Sequence, residues 1–332
     1  MNPAPEIETL LREDGQLAPG PALLTPLGGG VSSEIFKVEQ GAKTFVVKRA
    51  LAKLRVTAEW SADVGRNAVE HAFYETMAGP LNGSLPRVFF HNPAGGYFTM
   101  ECLEDGWRNW KDLLLQGLME PAQGKLAGSL LGKLHAGTWQ DARFREKFDT
   151  TANFRQLRTD PYLRTAAGRQ PEVAAQLLAE ADRVEGCRVC LVHGDFSPKN
   201  LLLKGDRMVL LDAEVAWFGE PAFDVAFLLT HLLLKGLRHA PHSTHWEQTA
   251  RAAREAYFRA LGDRATADLE SRCAYLLAAI LLARVDGKSP VEYLTLQQQQ
   301  TARAFAVETL RHPAPDLETM MTAWRSRLQQ TA

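Results

Sequence analysis

The hydrophobic pattern of the chain changes character once, near Glu101, and that change limits the folds open to it. Before it, short β-branched and aromatic runs alternate with glycine turns. Residues 23–40 read as strand, glycine turn, strand, and Thr44, Phe45, Val46, Val47 and Lys48 form the next strand after a turn at Gly41. Two more strands are predicted over 87–90 and 97–100, with a turn at 92–96 between them. One helix interrupts them over 62–79, where Val64, Ala68, Phe73 and Met77 recur at helical spacing, Asp63 stands at its start and Gly79-Pro80 at its end. After Glu101 the pattern is helical over 111–136, 170–184, 223–236, 246–261, 264–285, 296–311 and 316–330. The exception is a pair of short strands, 188–192 and 208–211, that flank a polar loop as a hairpin would. The expected architecture is α+β. A small antiparallel sheet with one helix occupies residues 1–103, and a larger, mostly helical lobe occupies 104–332.

Composition removes several classes of function. The 38 Lys and Arg nearly cancel the 39 Asp and Glu, so no global basic field exists to attract nucleic acid or an anionic membrane surface. No apolar run approaches the roughly 18–20 residues of a membrane span. The proline-broken, acidic N-terminus reads as neither a signal nor a transit peptide, and four cysteines in 332 residues make no disulfide framework. A reducing cytoplasm is the expected location.

The polar loop carries the chemistry. Residues 193–200 read His-Gly-Asp-Phe-Ser-Pro-Lys-Asn, and Asp212 follows after the second strand. Strand, loop and strand bring Asp195, Asn200 and Asp212 toward one point. A hard cation such as Mg²⁺ is bound through one or two carboxylates with phosphate oxygens and water, and the remaining aspartate can accept a proton from a hydroxyl nucleophile. The first hundred residues contain the complement of such a site. Gly28, Gly29, Gly30, Ser32 and Ser33 lie between two strands, where a glycine backbone approaches phosphates closely and Ser hydroxyls donate to them. Lys48 ends the next strand as a cation for phosphate, and Glu70 lies on the helix as its ion-pair partner. Each feature alone is an ordinary turn or a surface charge; their order makes them a set.

These residues, in this order, resemble the aminoglycoside phosphotransferase and choline kinase family, which shares the protein-kinase-like two-lobed fold. The resemblance covers roughly residues 20–290 and is strongest in 193–200 and in LLDAEVAWFGEPAFDVAFLL at 210–229. Residues 55–70, with Trp60 and Arg66, are also partly similar to methylthioribose kinase relatives, which carry a different residue at the position of Asn200. The resemblance implies an ATP- and Mg²⁺-dependent enzyme that moves the γ-phosphate to a hydroxyl of a small molecule: an amino alcohol, a sugar or an aminoglycoside-like acceptor. It implies Asp195 as the catalytic carboxylate, Asn200 and Asp212 as Mg²⁺ ligands with Glu214 assisting through water, and Lys48 on the α- and β-phosphates. It further implies a hinge at 100–103, including Glu101 and Leu103, whose backbone holds adenine. His193 becomes an orienting residue and Asp224 a brace for the loop.

The competing reading, a nucleotide-binding pseudokinase acting as a scaffold, is disfavoured because Lys48, Asp195, Asn200 and Asp212 are all present. A protein kinase is disfavoured because the eleven residues between Asp212 and Asp224 contain no Ser, Thr or Tyr. Cys187 and Cys190 form a lone C-x-x-C without a second pair, and His239, His242 and His245 lack helical metal spacing, so neither group reads as a metal site. Trp107 and Trp110 read as packing residues and Lys199 as solvent-facing. Substrate identity stays open. One clue is charge: residues 1–103 hold 9 Lys and Arg against 11 Asp and Glu, and the remainder 29 against 28. The larger lobe is therefore not acidic, as a polycationic acceptor would favour.

Overall fold

A computed structural model describes residues 3–28, 33–51, 65–104, 106–240 and 245–330. The chain divides into two compact units, Met1–Gly106 and Trp107–Ala332.

In the first unit, helix α1 (Ala4–Glu13) precedes strands β1 (Leu23–Pro26), β2 (Ser33–Gln40) and β3 (Lys43–Ala50), helix α2 (Arg66–Met77), and strands β4 (Val88–Asn92) and β5 (Tyr97–Met100). The strands form one antiparallel sheet in the order β1-β2-β3-β5-β4. Side chains alternate between faces along a strand, and here both faces are covered. Ile7 and Leu11 of α1 pack with Leu17 against Phe36, Val38, Phe45, Val47 and Tyr97. The other face of β3 carries Val46 and Lys48, whose cross-strand partners are Met100 and Phe98; the Tyr74 ring of α2 meets Phe98 edge-on at 6.0 Å. Helix α1 is a second helix beyond the one expected from sequence. Its short Ile7/Leu11 repeat lies in a proline-bearing segment and gains most of its stability from the sheet it covers.

The second unit contains strands β6 (Arg108–Asn109), β7 (Cys190–Val192), β8 (Leu201–Lys204), β9 (Arg207–Leu210) and β10 (Trp217–Gly219). Its helices are α3 (Trp110–Leu115), α4 (Pro121–Thr138), α5 (Ala142–Lys147), α6 (Thr151–Phe154), α7 (Thr165–Arg169), α8 (Ala174–Gly186), α9 (Pro221–His239), α10 (His245–Leu261), α11 (Ala267–Asp286), α12 (Leu296–Arg311) and α13 (Leu317–Gln330), with a π-helix, Arg155–Arg164, joining α6 to α7. The single helix expected over 111–136 is two, because Gly117 takes φ +80° and Pro121 opens a new first turn. Helices α4 and α10 approach until a Cβ on Gly128 would lie 2.0 Å from the Ala253 carbonyl.

The strands on either side of the polar loop do not pair with each other, contrary to the hairpin expected from sequence. β7 pairs with β10, and β9 pairs with β8, which begins directly after Asn200. The Gly205-Asp206 turn, with Gly205 at φ +59°, makes β8 and β9 a two-residue hairpin. Local closure of that hairpin leaves β7 free to pair with the strand after Asp212.

Candidate active site

The expected site residues fall in both units, and each group has its own local geometry. Gly29, Gly30 and Ser32 lie outside the described residues. Ser33 opens β2 and is buried. Lys48 and Glu70 come together: Nζ lies 2.9 Å from Oε1 and 2.7 Å from Oε2, with the two side chains 3% and 1% exposed. The Tyr74 hydroxyl donates to Glu70 Oε1 at 3.0 Å, and Asn67 Nδ2 donates to the Lys48 carbonyl at 3.2 Å. The lysine is thus held in place from strand and helix at once. Glu101 and Leu103 follow β5 in an irregular segment. The Glu101 N–H donates to the Arg87 carbonyl, and its Oε2 accepts from the Arg87 N–H.

In the second unit, β7 delivers the chain into the loop, and the first turn of α9 holds the loop in shape. Asp224, fully buried, accepts from the N–H of His193 at 2.7 Å and of Gly194 at 2.9 Å. His135 Nε2 approaches the same carboxylate at 3.3 Å. Gly194 has φ +75°, and a Cβ there would sit 2.7 Å from the Val215 carbonyl, so only glycine fits. His193 is buried, and burial lowers its pKa, so the ring is neutral. Its Nδ1 accepts from the Asp195 N–H at 3.2 Å, which assigns the proton to Nε2, the donor to the Leu211 carbonyl at 3.1 Å. Both ring nitrogens thus face backbone groups of the loop and the segment after β9. Glu220 caps α9 through the Ala222 N–H and pairs with Arg183 and Arg272, so this buried carboxylate serves the scaffold of the loop.

Asp195 is 4% exposed and carries two cations on one oxygen: Oδ2 lies 3.0 Å from Arg158 Nη2 and 2.8 Å from Lys199 Nζ. Burial pushes its pKa up, but Lys199 and Arg158 outweigh that and hold it below the usual carboxylate range. Lys199 is therefore not simply solvent-facing. Its amine is engaged with Asp195 while its side chain stays 43% exposed, and the net effect on its pKa is upward although burial opposes it. Arg158 is a residue that the motif did not reveal. It sits in the π-helix, donates through Nε to the Gly194 carbonyl, and stacks 5.8 Å from the rings of Tyr162 and Phe227. Its only sequence signal is an arginine in a stretch without clear periodicity.

Asn200 Nδ2 donates to the Asp195 carbonyl at 3.0 Å, which fixes the amide's donor end and makes Oδ1 its acceptor end. Asp212 occupies φ +65°, one of two non-glycine residues at positive φ among those described. Such strain persists where the surroundings over-determine it, often at functional sites. Glu214 is buried beside the same segment, and Asp212 and Glu214 both act electrostatically on Arg158. These oxygen donors fit a Mg²⁺ held by one or two carboxylates; no group of three or more His, Cys, Asp or Glu among the described residues is arranged as a denser metal site. Cys187 and Cys190 are free thiols. His239 bonds the Leu114 carbonyl, His242 lies outside the described residues, and Trp110 is buried with its Nε1 donating to Gln123.

The curated methylthioribose kinases of Cronobacter sakazakii and Pectobacterium carotovorum are 25% and 26% identical to the chain in alignments 238 positions long that cover 63% of this chain. The chain spans 59% of the length of these relatives. Among solved structures, an ADP-bound aminoglycoside phosphotransferase, APH(2'')-Ib, aligns over 91% of this chain and 97% of its own at a TM-score of 0.52 and 16% identity. A Plasmodium vivax ethanolamine kinase aligns over 98% and 86% at a TM-score of 0.50 and 13% identity. These likenesses give the protein-kinase-like fold. The phosphotransferase enzyme family model matches residues 23–275, most of the chain, and this chain belongs to that family.

Proposed function

We propose that the protein is an ATP- and Mg²⁺-dependent phosphotransferase that moves the γ-phosphate to a hydroxyl group of a small molecule. The observation that carries this reading is the state of Asp195: a buried carboxylate with both cations on Oδ2, on a loop whose backbone Asp224 fixes. Oδ1 is then the acceptor for a substrate hydroxyl. A carboxylate with a depressed pKa is a weak base, so its main work is to orient the hydroxyl and to take the proton late. That suits phosphoryl transfer through a loose, in-line transition state, where positioning and charge neutralisation dominate. Lys48, steadied by Glu70, supplies a cation for the α- and β-phosphates. The irregular backbone at Glu101 and Leu103 offers hydrogen-bonding groups for an adenine edge. Asn200 Oδ1 and Asp212 would hold Mg²⁺, with Glu214 assisting. When bound, the ion would supply positive charge that neutralises the charge developing on the transferred phosphoryl group.

The relatives with curated names act on methylthioribose, and the structural neighbours are named for aminoglycosides and ethanolamine; all are small hydroxylated molecules. A coupled ADP-release assay over amino alcohols, sugars, methylthioribose and aminoglycosides, with and without Mg²⁺, tests the reading. Activity is expected with a member of this set. Asp195→Asn should lower it by about 10²-fold or more, the scale of a lost general base, with nucleotide affinity retained. Activity within a few-fold of wild type in that variant would remove Asp195 from the mechanism.

A further inference from the structure

One face of α9 carries Phe227, His231 and Lys235 at successive four-residue steps, and it leads away from the catalytic carboxylate. The contacts form a chain. Arg158, on Asp195, lies over Phe227; the Phe227 ring meets His231 at 5.2 Å; His231 is one turn before Lys235. On the facing side Arg284 of α11 lies 5.6 Å over Tyr162, and its Nη1 donates to the Tyr162 hydroxyl at 3.1 Å. Lys235 is 1% exposed, and its Nζ lies 5.2 Å from the Tyr293 ring centre.

No carboxylate among the described residues pairs with Lys235; its one hydrogen bond is a 3.5 Å contact to the His231 carbonyl. Burial first, then Arg284 and Lys111, bring its pKa down to about 7. Burial and the surrounding cations, Lys235 foremost among them, keep His231 neutral. Two further polar atoms nearby are buried and lack a partner among the described residues: the Tyr293 hydroxyl and Arg284 Nε. An unpaired buried ammonium is costly, and methionine would fill the same space without the penalty. Three donors left underused in one place fit a ligand made only of acceptors.

We propose that Lys235, Arg284 and Tyr293 form a subsite for an anionic group, a carboxylate or a phosphate, carried by the hydroxyl acceptor. The inference rests on the phosphotransferase reading and narrows its substrate class. A quaternary ammonium or polyamine acceptor would instead bring a positive charge against Lys235 and Arg284, with no carboxylate paired to Lys235 among the described residues to offset it. An anion restores the missing charge partner and accepts from the Tyr293 hydroxyl.

Titration calorimetry on the full chain tests this with D-glycerate, glycerol 3-phosphate, glycerol and choline, using wild type, Lys235→Met and Tyr293→Phe. At least one anion is expected to bind wild type about tenfold or more tightly than glycerol, the scale of a charge-assisted bond. Preference for glycerate assigns a carboxylate; preference for glycerol 3-phosphate assigns a phosphate. Lys235→Met should abolish the preference and melt at or above the wild-type temperature, and Tyr293→Phe should weaken it by a few-fold. Anions that bind no better than glycerol, tighter binding of choline, or a preference that survives Lys235→Met would each overturn the proposal. ADP release with a neutral or cationic alcohol, lost in Asp195→Asn, would leave the phosphotransferase reading standing while removing this one. Absence of ADP release with every alcohol would remove that reading, and the titrations would still decide the anion subsite.

Discussion

Replacing Arg158 with methionine isolates the electrostatic control of Asp195. The guanidinium and the carboxylate are 3.0 Å apart, with both side chains under a tenth exposed, so solvent screens the pair weakly. Two unit charges at that separation interact by about 5 kcal/mol at an effective dielectric near 20. Relaxation and the second cation, Lys199 at 2.8 Å, return part of that loss. The Asp195 pKa should therefore rise on balance, since an opposite charge beside a carboxylate favours its ionised form. The sign follows from the depressed folded value. Asp195 works as a carboxylate above its folded pKa, and its contribution fades as pH falls through that pKa. Raising the folded pKa moves the acid limb of the kcat/KM profile upward by the same amount, since that profile reports the free enzyme. Arg158→Lys keeps a charge but loses the stacking on Tyr162 and Phe227. Its acid limb should stay within about half a unit of wild type, although activity falls because a point charge does not replace a planar fork. The assay is steady-state ADP release across pH for all three proteins, with melting curves to verify folding. An unshifted acid limb in folded Arg158→Met would refute the argument, because the arginine would then act through packing alone.

Three further outcomes follow from the geometry. Asp212→Ala should abolish the Mg²⁺ dependence of ATP binding in an equilibrium titration, because a site built on one or two carboxylates cannot lose one and hold the ion; binding that stays equally Mg²⁺-dependent counts against the assignment. Gly128→Ala should destabilise the protein by about 1–3 kcal/mol or more in thermal melts, since its Cβ would meet the Ala253 backbone at 2.0 Å. Gly137→Ala on the same helix meets nothing within 4 Å and should be neutral or stabilising by up to about 1 kcal/mol; equal effects at the two glycines would refute the close α4–α10 contact.

Element type was legible in the sequence wherever one hydrophobic period ran long enough. Helices α9 to α13 and strands β2, β3 and β5 lie close to where their patterns predict them, because periodicity is a local property that each element carries in its own residues. The motif residues were legible for the same reason: Asp195, Asn200 and Asp212 are close in sequence, and turn geometry between them is short-range. Strand partnership was not. β7 and β9 are both apolar and similarly short, and only the tertiary fold assigns β10 to one and β8 to the other. The Gly205-Asp206 turn was a local signal for the second pairing, but nothing local marks the first. The electrostatics of the site were also decided at long range. Arg158 reaches Asp195 from a π-helical stretch 37 positions earlier, and Lys235, with no acid paired to it among the described residues, is buried where α9 and α11 pack together. A side chain's charge is written in the sequence, whereas its partner and its exposure to water are properties of the packed chain.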